Sequence, residues 1–356
     1  MKKRHASRGT VGLKHVAEYL GLNPATVSVV LNNTPGRSIP EATRERIRTA
    51  ARELNYQPSL VARSLQSRRT RIIGILLPDL ERSYYTEVLR GIASRLMEAG
   101  YFYFIAHHEN RQELIEEYGR VLLQRGAEAV IAIDTPLEHS FNVPVISVAG
   151  QRRLPGATNV VADHRLAAEL LLEHLHSLGH RRIALVKGKT VGTPTGELWQ
   201  SMLAAARKLA IRIDPELVFD VGQNTPSPEL GYAAARRLFS TRRRFTALVI
   251  FNHIMTTGLL RGLQEMTIKV PEDISVAAFD DSGTSELSNP RVTAIRYRLC
   301  NMGAVAAQSV LNTLDGSPTP RKQILLEPEL IVRESTASAP ADTQQSVLFA
   351  ALRRYL

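Results

Sequence analysis

The sequence is poor in cysteine, tryptophan and long apolar runs. It holds one cysteine, Cys300, and one tryptophan in 356 residues, and aromatic residues make up 6%. A lone cysteine excludes an intramolecular disulfide framework and fits a reducing compartment, where its plain role is that of a small buried hydrophobe. No apolar run is long enough to span a bilayer. The basic opening MKKRHASRGT is followed by no apolar stretch of the kind a secretory leader carries. The protein is therefore expected to be cytoplasmic, with no membrane partner. With 44% hydrophobic and 22% charged residues, the composition is that of a globular chain long enough for two or three domains.

Acidic residues are scarce in one place only. Between Met1 and Arg71, 14 Lys and Arg stand against 4 Asp and Glu, whereas the rest of the chain holds 31 and 30. Nearly all of the net charge of +11 thus sits in the first fifth. That asymmetry points to a polyanionic partner for a small N-terminal domain. A solvated basic face without a partner is the alternative that charge alone leaves open.

Hydrophobic spacing organises this basic region into three short helices. Leu13, Val16, Ala17 and Leu20 share one face of the first, which Gly21 ends. Asn23 is placed to cap the second, and Pro24 to fill its first position, where a missing N–H costs nothing. A third helix is expected from about Glu41 to Leu54. Ala42, Ile47, Ala50, Ala51 and Leu54 would face inward, and Arg44, Arg46, Arg48 and Arg52 outward. Pro58 opens a further two-turn segment, residues 59–66, too short to be stable alone.

From Arg71 the texture changes. RIIGILLPD reads as a buried parallel strand ending in a turn. Strands at 72–77, 101–106, 129–133, 145–148, 183–187, 217–221, 247–251 and 275–279 alternate with helices at 85–99, 112–124, 165–178, 197–209, 228–239, 254–265 and 301–314. This order predicts doubly wound parallel sheets. Eight strands over this length suit two subdomains better than one sheet. After a small-polar stretch, SVLFAALRRYL places Leu348, Leu352 and Leu356 at helical spacing. A short oligomerisation helix and a tail that packs locally are both compatible with it.

The run VAEYLGLNPATVSVVLNN, with ATRERIRTAARELNYQPSLVARSL after it, resembles the headpiece and hinge of the lactose-repressor/galactose-repressor (LacI/GalR) family. RIIGILLPD, VPVISV, VVADHRLAAELLLEHLHSLGHRRIALV, TALVIFNHIMTTGLLRGL and VPEDISVAAFDD match it in order. The resemblance implies an all-α helix-turn-helix headpiece plus an α/β periplasmic-binding-protein-like core of two doubly wound parallel-sheet subdomains. The expected divisions are a headpiece, 1–57; a hinge helix or linker, 58–70; an effector-sensing and dimerisation core, 71–335; and a linker with a candidate short C-terminal helix, 336–356. Within the core, the N-subdomain takes about 71–173 and 300–327, and the C-subdomain about 174–299 and 328–335.

The same resemblance implies a sequence-specific transcriptional regulator, most readily a repressor. It would bind double-stranded operator DNA of pseudo-palindromic sequence as a homodimer, or as a tetramer built from dimers. In a helix-turn-helix the second helix enters the major groove by its N-terminal end. That places Pro24, Ala25 and Val29 at base edges, and Thr26, Ser28 and Asn32 at phosphates or neighbouring edges. Taken alone, TVSVVLN would be an ordinary amphipathic core helix. The three base-facing positions are apolar here. Apolar groups touch a thymine methyl but make no bidentate guanine contact, so more of the readout is expected from the hinge and the basic arm. In the family, paired hinge helices wedge a leucine into the minor groove. Leu65 matches that leucine and Ala62 its small neighbour; a plain linker is the alternative. Gly12 and His15 replace the usual Thr cap and Asp of the first helix, an expected cost on the order of 1 kcal/mol.

For the core, the resemblance implies two lobes closing on a small-molecule effector in the interlobe cleft. Matching positions are Tyr84, Tyr85, Ala149, Asp163, Leu198, His253 and the pair Asp280–Asp281, with Asp281 taken as the binding carboxylate. In sugar- and purine-sensing relatives the positions of Ala149, Leu198 and His253 are commonly Asp, Arg and Asp. Of the polar anchors only Asp163 clearly remains. Leucine at 198 removes a bidentate fork, and a buried unpaired polar group costs about 1–3 kcal/mol. An ordinary monosaccharide bound in the usual way is therefore not expected. An apolar or aromatic ligand, a ligand with an anionic group facing His253, loss of sensing, and a shift of the match around TVGTPTGELWQ all stay open.

Other signals point away from catalysis. His174, His176 and His180 have a metal-like spacing, but Gly179 breaks the helix before the third. GKT at Gly188–Thr190 lacks the glycine a phosphate loop requires five residues earlier, where Ile183 stands. No Ser-His-Asp or Cys-His arrangement stands out along the chain. No metal, no cofactor and no enzymatic reaction are expected. In a thermal-shift assay a simple hexose should give no tight stabilisation; a clear rise in Tm with glucose would overturn this reading of the pocket.

Overall fold

Asn23 and Pro24 start the helix around which the N-terminal unit is built. A computed structural model describes residues 11–32, 38–57, 69–150, 157–188, 194–222, 226–241, 243–281, 283–317 and 323–352, and contacts divide the chain into Met1–Arg71 and Ile72–Leu356. The first unit has helices α1 (Leu13–Leu20), α2 (Pro24–Leu31) and α3 (Glu41–Glu53). Their shared core is Val16, Ala17, Val27, Val30, Ile47 and Ala50. The Asn23 side chain accepts from the Ala25 amide at 2.8 Å, satisfying one of the orphan donors of α2. Gly21 takes the left-handed conformation, φ 64°, that closes α1 at no steric cost. Two expectations change. His15 Nδ1 accepts from the Gly12 amide at 3.0 Å, so half of a capping box survives without the Thr and Asp. Ala42 is exposed rather than inward. The expected hinge residues Ala62 and Leu65 lie outside the described residues.

The second unit is built on two six-stranded sheets. The strands are β1 (Ile72–Leu77), β2 (Phe102–His107), β3 (Ala127–Ile133), β4 (Val145–Val148), β5 (Thr158–Ala162), β6 (Ile183–Lys187), β7 (Val218–Asp220), β8 (Ala247–Ile250), β9 (Ser275–Ala278), β10 (Thr293–Arg296), β11 (Gln323–Leu326) and β12 (Glu329–Ile331). The N-lobe sheet runs β11-β5-β4-β3-β1-β2 and the C-lobe sheet β12-β10-β9-β8-β6-β7. Pairing is parallel except between β10 and β12. Strands such as IIGILL and AEAVIAI are apolar at nearly every position, because helices cover both faces of a parallel sheet. Those helices are α4 (Ser83–Glu98), α5 (Gln112–Gln124), α6 (His164–Ser177), α7 (Pro194–Lys208), α8 (Pro228–Phe239), α9 (His253–Glu265), α10 (Gly283–Leu287), α11 (Leu299–Leu314) and α12 (Asp342–Leu352).

The four strands missed by sequence reading, β5, β10, β11 and β12, span 3 to 5 residues each. Each opens on a polar residue, Thr158, Thr293, Gln323 or Glu329, and holds no apolar run longer than three residues, so they gain their identity from pairing. Ala167, Leu171 and Leu175 of α6 lie in the C-lobe core with Ile183 and Leu185. The first crossing between lobes therefore falls just after β5, earlier than residue 173. Each lobe uses glycine for close helix packing. A Cβ on Gly91 of α4 would stand 1.8 Å from the Cys300 carbonyl oxygen, and one on Gly258 of α9 1.7 Å from that of Pro228.

The C-terminal segment is bound to its own C-lobe. Phe349 of α12 is 2% exposed and stacks on Phe239 at 5.4 Å, edge to face with Phe245. Gln345 donates to the Asp273 carbonyl at 2.8 Å, and Asp342 pairs with Arg182. Leu348 packs partly buried against the same cluster, so its share of the leucine stripe serves local packing; Leu356 lies outside the described residues. Two of the histidines with metal-like spacing hold this segment as well. His174 meets Thr336 at 3.0 Å, and His180 meets Thr246 at 2.8 Å and the Ala337 carbonyl at 3.0 Å. Burial lowers the pKa of both. Replacing Phe349 by Ala should destabilise the core by about 3–5 kcal/mol, read from the midpoint of chemical denaturation. An unchanged midpoint would mean that α12 is a free tail.

Candidate functional site

In the N-terminal unit, α2 divides its residues between two faces. Val27 and Val30 are buried, Pro24, Ala25 and Asn32 are exposed, and Thr26, Ser28 and Val29 are half-buried. All six positions named as DNA contacts on this helix therefore keep surface for a partner. Asn32 Nδ2 donates to Ser28 Oγ at 3.1 Å, which orders two polar groups at the end of the helix. Arg48 and Arg52 of α3 pair with Glu41 and Glu45 on an exposed face, where such pairs add little stability.

In the second unit, polar side chains collect at the carboxyl ends of the strands. Ser83, Tyr84 and Tyr85 follow β1, Asp134 follows β3, Ala149 follows β4 and Asp163 follows β5. In the other lobe His253 follows β8, Asp280 follows β9 and Tyr297 follows β10. Asp134 and Ala149 adopt left-handed backbone conformations, φ 43° and 53°, a strain that tends to cluster at functional sites. Tyr85 donates to Asp134 at 2.9 Å. Asp163 caps α6 by accepting from the Leu166 amide at 2.9 Å. Burial pushes the phenols of Tyr84, Tyr85 and Tyr297 up, and carboxylates of both lobes add to it: Asp134 and Asp280 at Tyr84, Asp280 and Asp163 at Tyr297. These groups therefore share one electrostatic neighbourhood.

His164, the first residue of α6, packs edge to face on Tyr297 at 5.8 Å. Burial lowers its pKa to about 4, against the opposing effect of Asp163, so it is neutral near pH 7. Among the described residues, His164 Nδ1 and Tyr297 Oη are buried without a hydrogen-bond partner. His253 is nearly buried. Its Nδ1 faces Asp280 Oδ2 at 2.5 Å, and its Nε2 faces Ser83 Oγ of the opposite lobe at 3.4 Å. This is the order of a proton-relay triad, invisible along the chain because its members come from three strand ends. The hydroxyl contact is long, and it spans two lobes.

Three sequence assignments move. Asp281 is not the carboxylate of the cleft. Its side chain is 2% exposed and lies between Arg333, at 2.8 Å, and Arg296, at 2.7 Å, as a buried carboxylate must be paired. Asp280 takes the position beside His253. Leu198 is buried with Met202, Phe251 and Phe279 in the C-lobe core; it adds packing and no polar lining. Both ring nitrogens of His253 already face protein groups, so an anionic ligand group has no open edge of that imidazole to meet. Ser83, Asp134, His164 and Tyr297 were missed. Asp134 directly follows an apolar strand legible in the sequence and could have been found there, whereas Ser83 lies six residues beyond β1 and His164 and Tyr297 follow β5 and β10, which carry no such signal.

Residues 12–59 match the family described as bacterial regulatory proteins, lacI family, and residues 172–336 match the periplasmic binding protein-like domain. The HTH-type transcriptional regulator MalR of Streptomyces coelicolor is 30% identical over 349 residues, 94% of this chain and 98% of its own length. The HTH-type transcriptional repressor PurR of Pasteurella multocida is 26% identical over 338 residues, 92% and 98% of the two chains. Among solved structures, the Lac repressor bound to ONPG in its repressed state superposes with a TM-score of 0.81 at 24% identity, covering 92% of this chain and 100% of that one. A complex of the transcriptional regulator CelR with cellobiose has a TM-score of 0.65 at 25% identity, covering 91% and 99%.

A histidine held neutral by burial makes stability fall with acid. The unfolded ring takes up its proton near pH 6.5, while folded His164 does so only near 4, so stability should decline as pH drops from about 6.5 to about 4. His108, buried against Thr135 at 2.9 Å and also lowered to about 4 by burial, acts in the same direction. An NMR titration should find the His164 ring unprotonated above pH 5; a midpoint near 6.5 would contradict the buried geometry.

Proposed function

This chain belongs to the LacI family of bacterial transcription regulators, and on that premise we propose that it is a repressor. It binds a pseudo-palindromic operator as a homodimer, and a small effector held between the lobes of its core modulates that binding. The observation that carries the reading is the division of α2: a capped helix, buried through Val27 and Val30, that presents its N-terminal end outward from a basic three-helix unit. Thr26, Ser28 and Asn32 supply hydroxyl and amide groups for phosphates. Pro24, Ala25 and Val29 read methyl groups and groove shape. Leu65 and Ala62 supply the hinge wedge.

A two-fold protein suits a two-fold site. One relative is described as the Lac repressor dimer bound to operator. In this chain the edge strand β2 exposes Phe102, Phe104 and Ile105, with Met97 of α4 also exposed. Such an apolar edge favours a second copy. The effector reading places Tyr84, Tyr85, Ala149, Asp163 and His253 at the cleft, with Asp280 in place of Asp281. Each unanswered polar atom, Tyr297 Oη and His164 Nδ1, costs about 1–3 kcal/mol until a ligand group meets it. A protein that works on the chromosome acts in the cytoplasm, and no reaction is assigned to it. In gel-shift titrations at about 0.15 M salt, the purified chain should prefer one genomic fragment over random competitor. Leu65→Ala should weaken that preference by about tenfold or more. Equal retention of all duplexes would refute the reading.

A further inference from the structure

His253 contacts both lobes at once. It begins α9 in the C-lobe, where Asn252 caps the helix by accepting from the Ile254 amide at 2.9 Å. Nδ1 faces Asp280 within the same lobe, and Nε2 faces Ser83 on the first turn of α4 in the other. The side chain is 11% exposed, so water competes weakly for either nitrogen. Both protonation states satisfy the arrangement. The neutral ring donates from Nδ1 to Asp280 and accepts from the Ser83 hydroxyl, and the protonated ring donates to both.

A two-lobed sensor closes when something in the cleft makes contacts to both lobes that the open form lacks. In such a core the ligand ordinarily supplies them. Here an imidazole of the chain supplies them, and it engages Asp280, the carboxylate at the end of β9 that would otherwise receive the ligand. We propose that His253 is a built-in latch, holding the lobes together without effector, and that an effector reaching Asp280 has to displace it. This rests on the reading of the core as an effector cleft. It makes the closed form the resting form, and it sets a ligand's affinity against the strength of the internal contact.

The test measures lobe separation directly in the full-length, ligand-free protein. Glu116 of α5 and Leu287, on opposite lobes, are exposed and accept spin labels as Glu116→Cys and Leu287→Cys in a Cys300→Ser background. Dilution into unlabelled protein removes distances between subunits. The expected result is one short-distance population. Ser83→Ala and His253→Ala should each shift it to longer distances, and the double variant should go no further than the larger single effect. Ser83→Ala leaves the C-lobe pair His253–Asp280 in place, so it probes the latch even if His253→Ala perturbs folding. Unchanged distances in Ser83→Ala, with operator binding intact, overturn the latch and leave the regulator reading standing. Absence of any operator preference in the unsubstituted protein, with the distance shifts present in the variants, sinks the regulator reading alone.

Discussion

A parallel strand can be apolar on both faces only when helices cover both sides, and that constraint governs the core. Once β1, β3, β8 and β9 are sealed within their sheets, the strand ends are where polar side chains can gather without breaking a core. Asp134 and Asp163 come from one sheet, and His253, Asp280 and Tyr297 from the other. The chain crosses between lobes three times, before α6, before α11 and between β11 and β12, so the two sets of ends are brought together. Burial then sets their chemistry. Phenols and the His164 imidazole stay neutral because the charged form has too little water around it.

The headpiece solves a different problem. Its core of Val16, Ala17, Val27, Val30, Ile47 and Ala50 is small, as expected for a unit of this size. Its helices depend on local devices: the Asn23 cap, Pro24 at the first position, Gly21 at the end of α1, and His15 folding back on Gly12. Its charge provides nonspecific attraction to a polyanion, and that attraction weakens with salt. In the reading proposed for α2, specificity falls to small apolar groups and to shape, since neither Ala25 nor Val29 offers the bidentate donor that reads guanine.

Neighbouring residues with the same chemistry meet opposite fates in this fold. Asp280 and Asp281 are adjacent beyond the end of β9, yet one reaches the cleft beside His253 and the other a two-arginine clamp that ties β10 to the segment after β12. Leu198, expected from the sequence at an anchor position of the cleft, instead completes a hydrophobic core. Composition cannot distinguish such cases, because the choice depends on which way each side chain points after the sheet has formed.

The amino-acid order by itself determined the basic N-terminal unit, its three helices almost to the residue, and the alternation of strand and helix. These follow from local periodicity, capping and charge, which act over a few residues. Tertiary structure alone decided the four short strands, the early crossing into α6, the docking of Phe349, and the meeting of Ser83, His253 and Asp280. Each of these joins positions distant in the chain, and pairing, burial and the closure of two lobes select them only after the local elements exist.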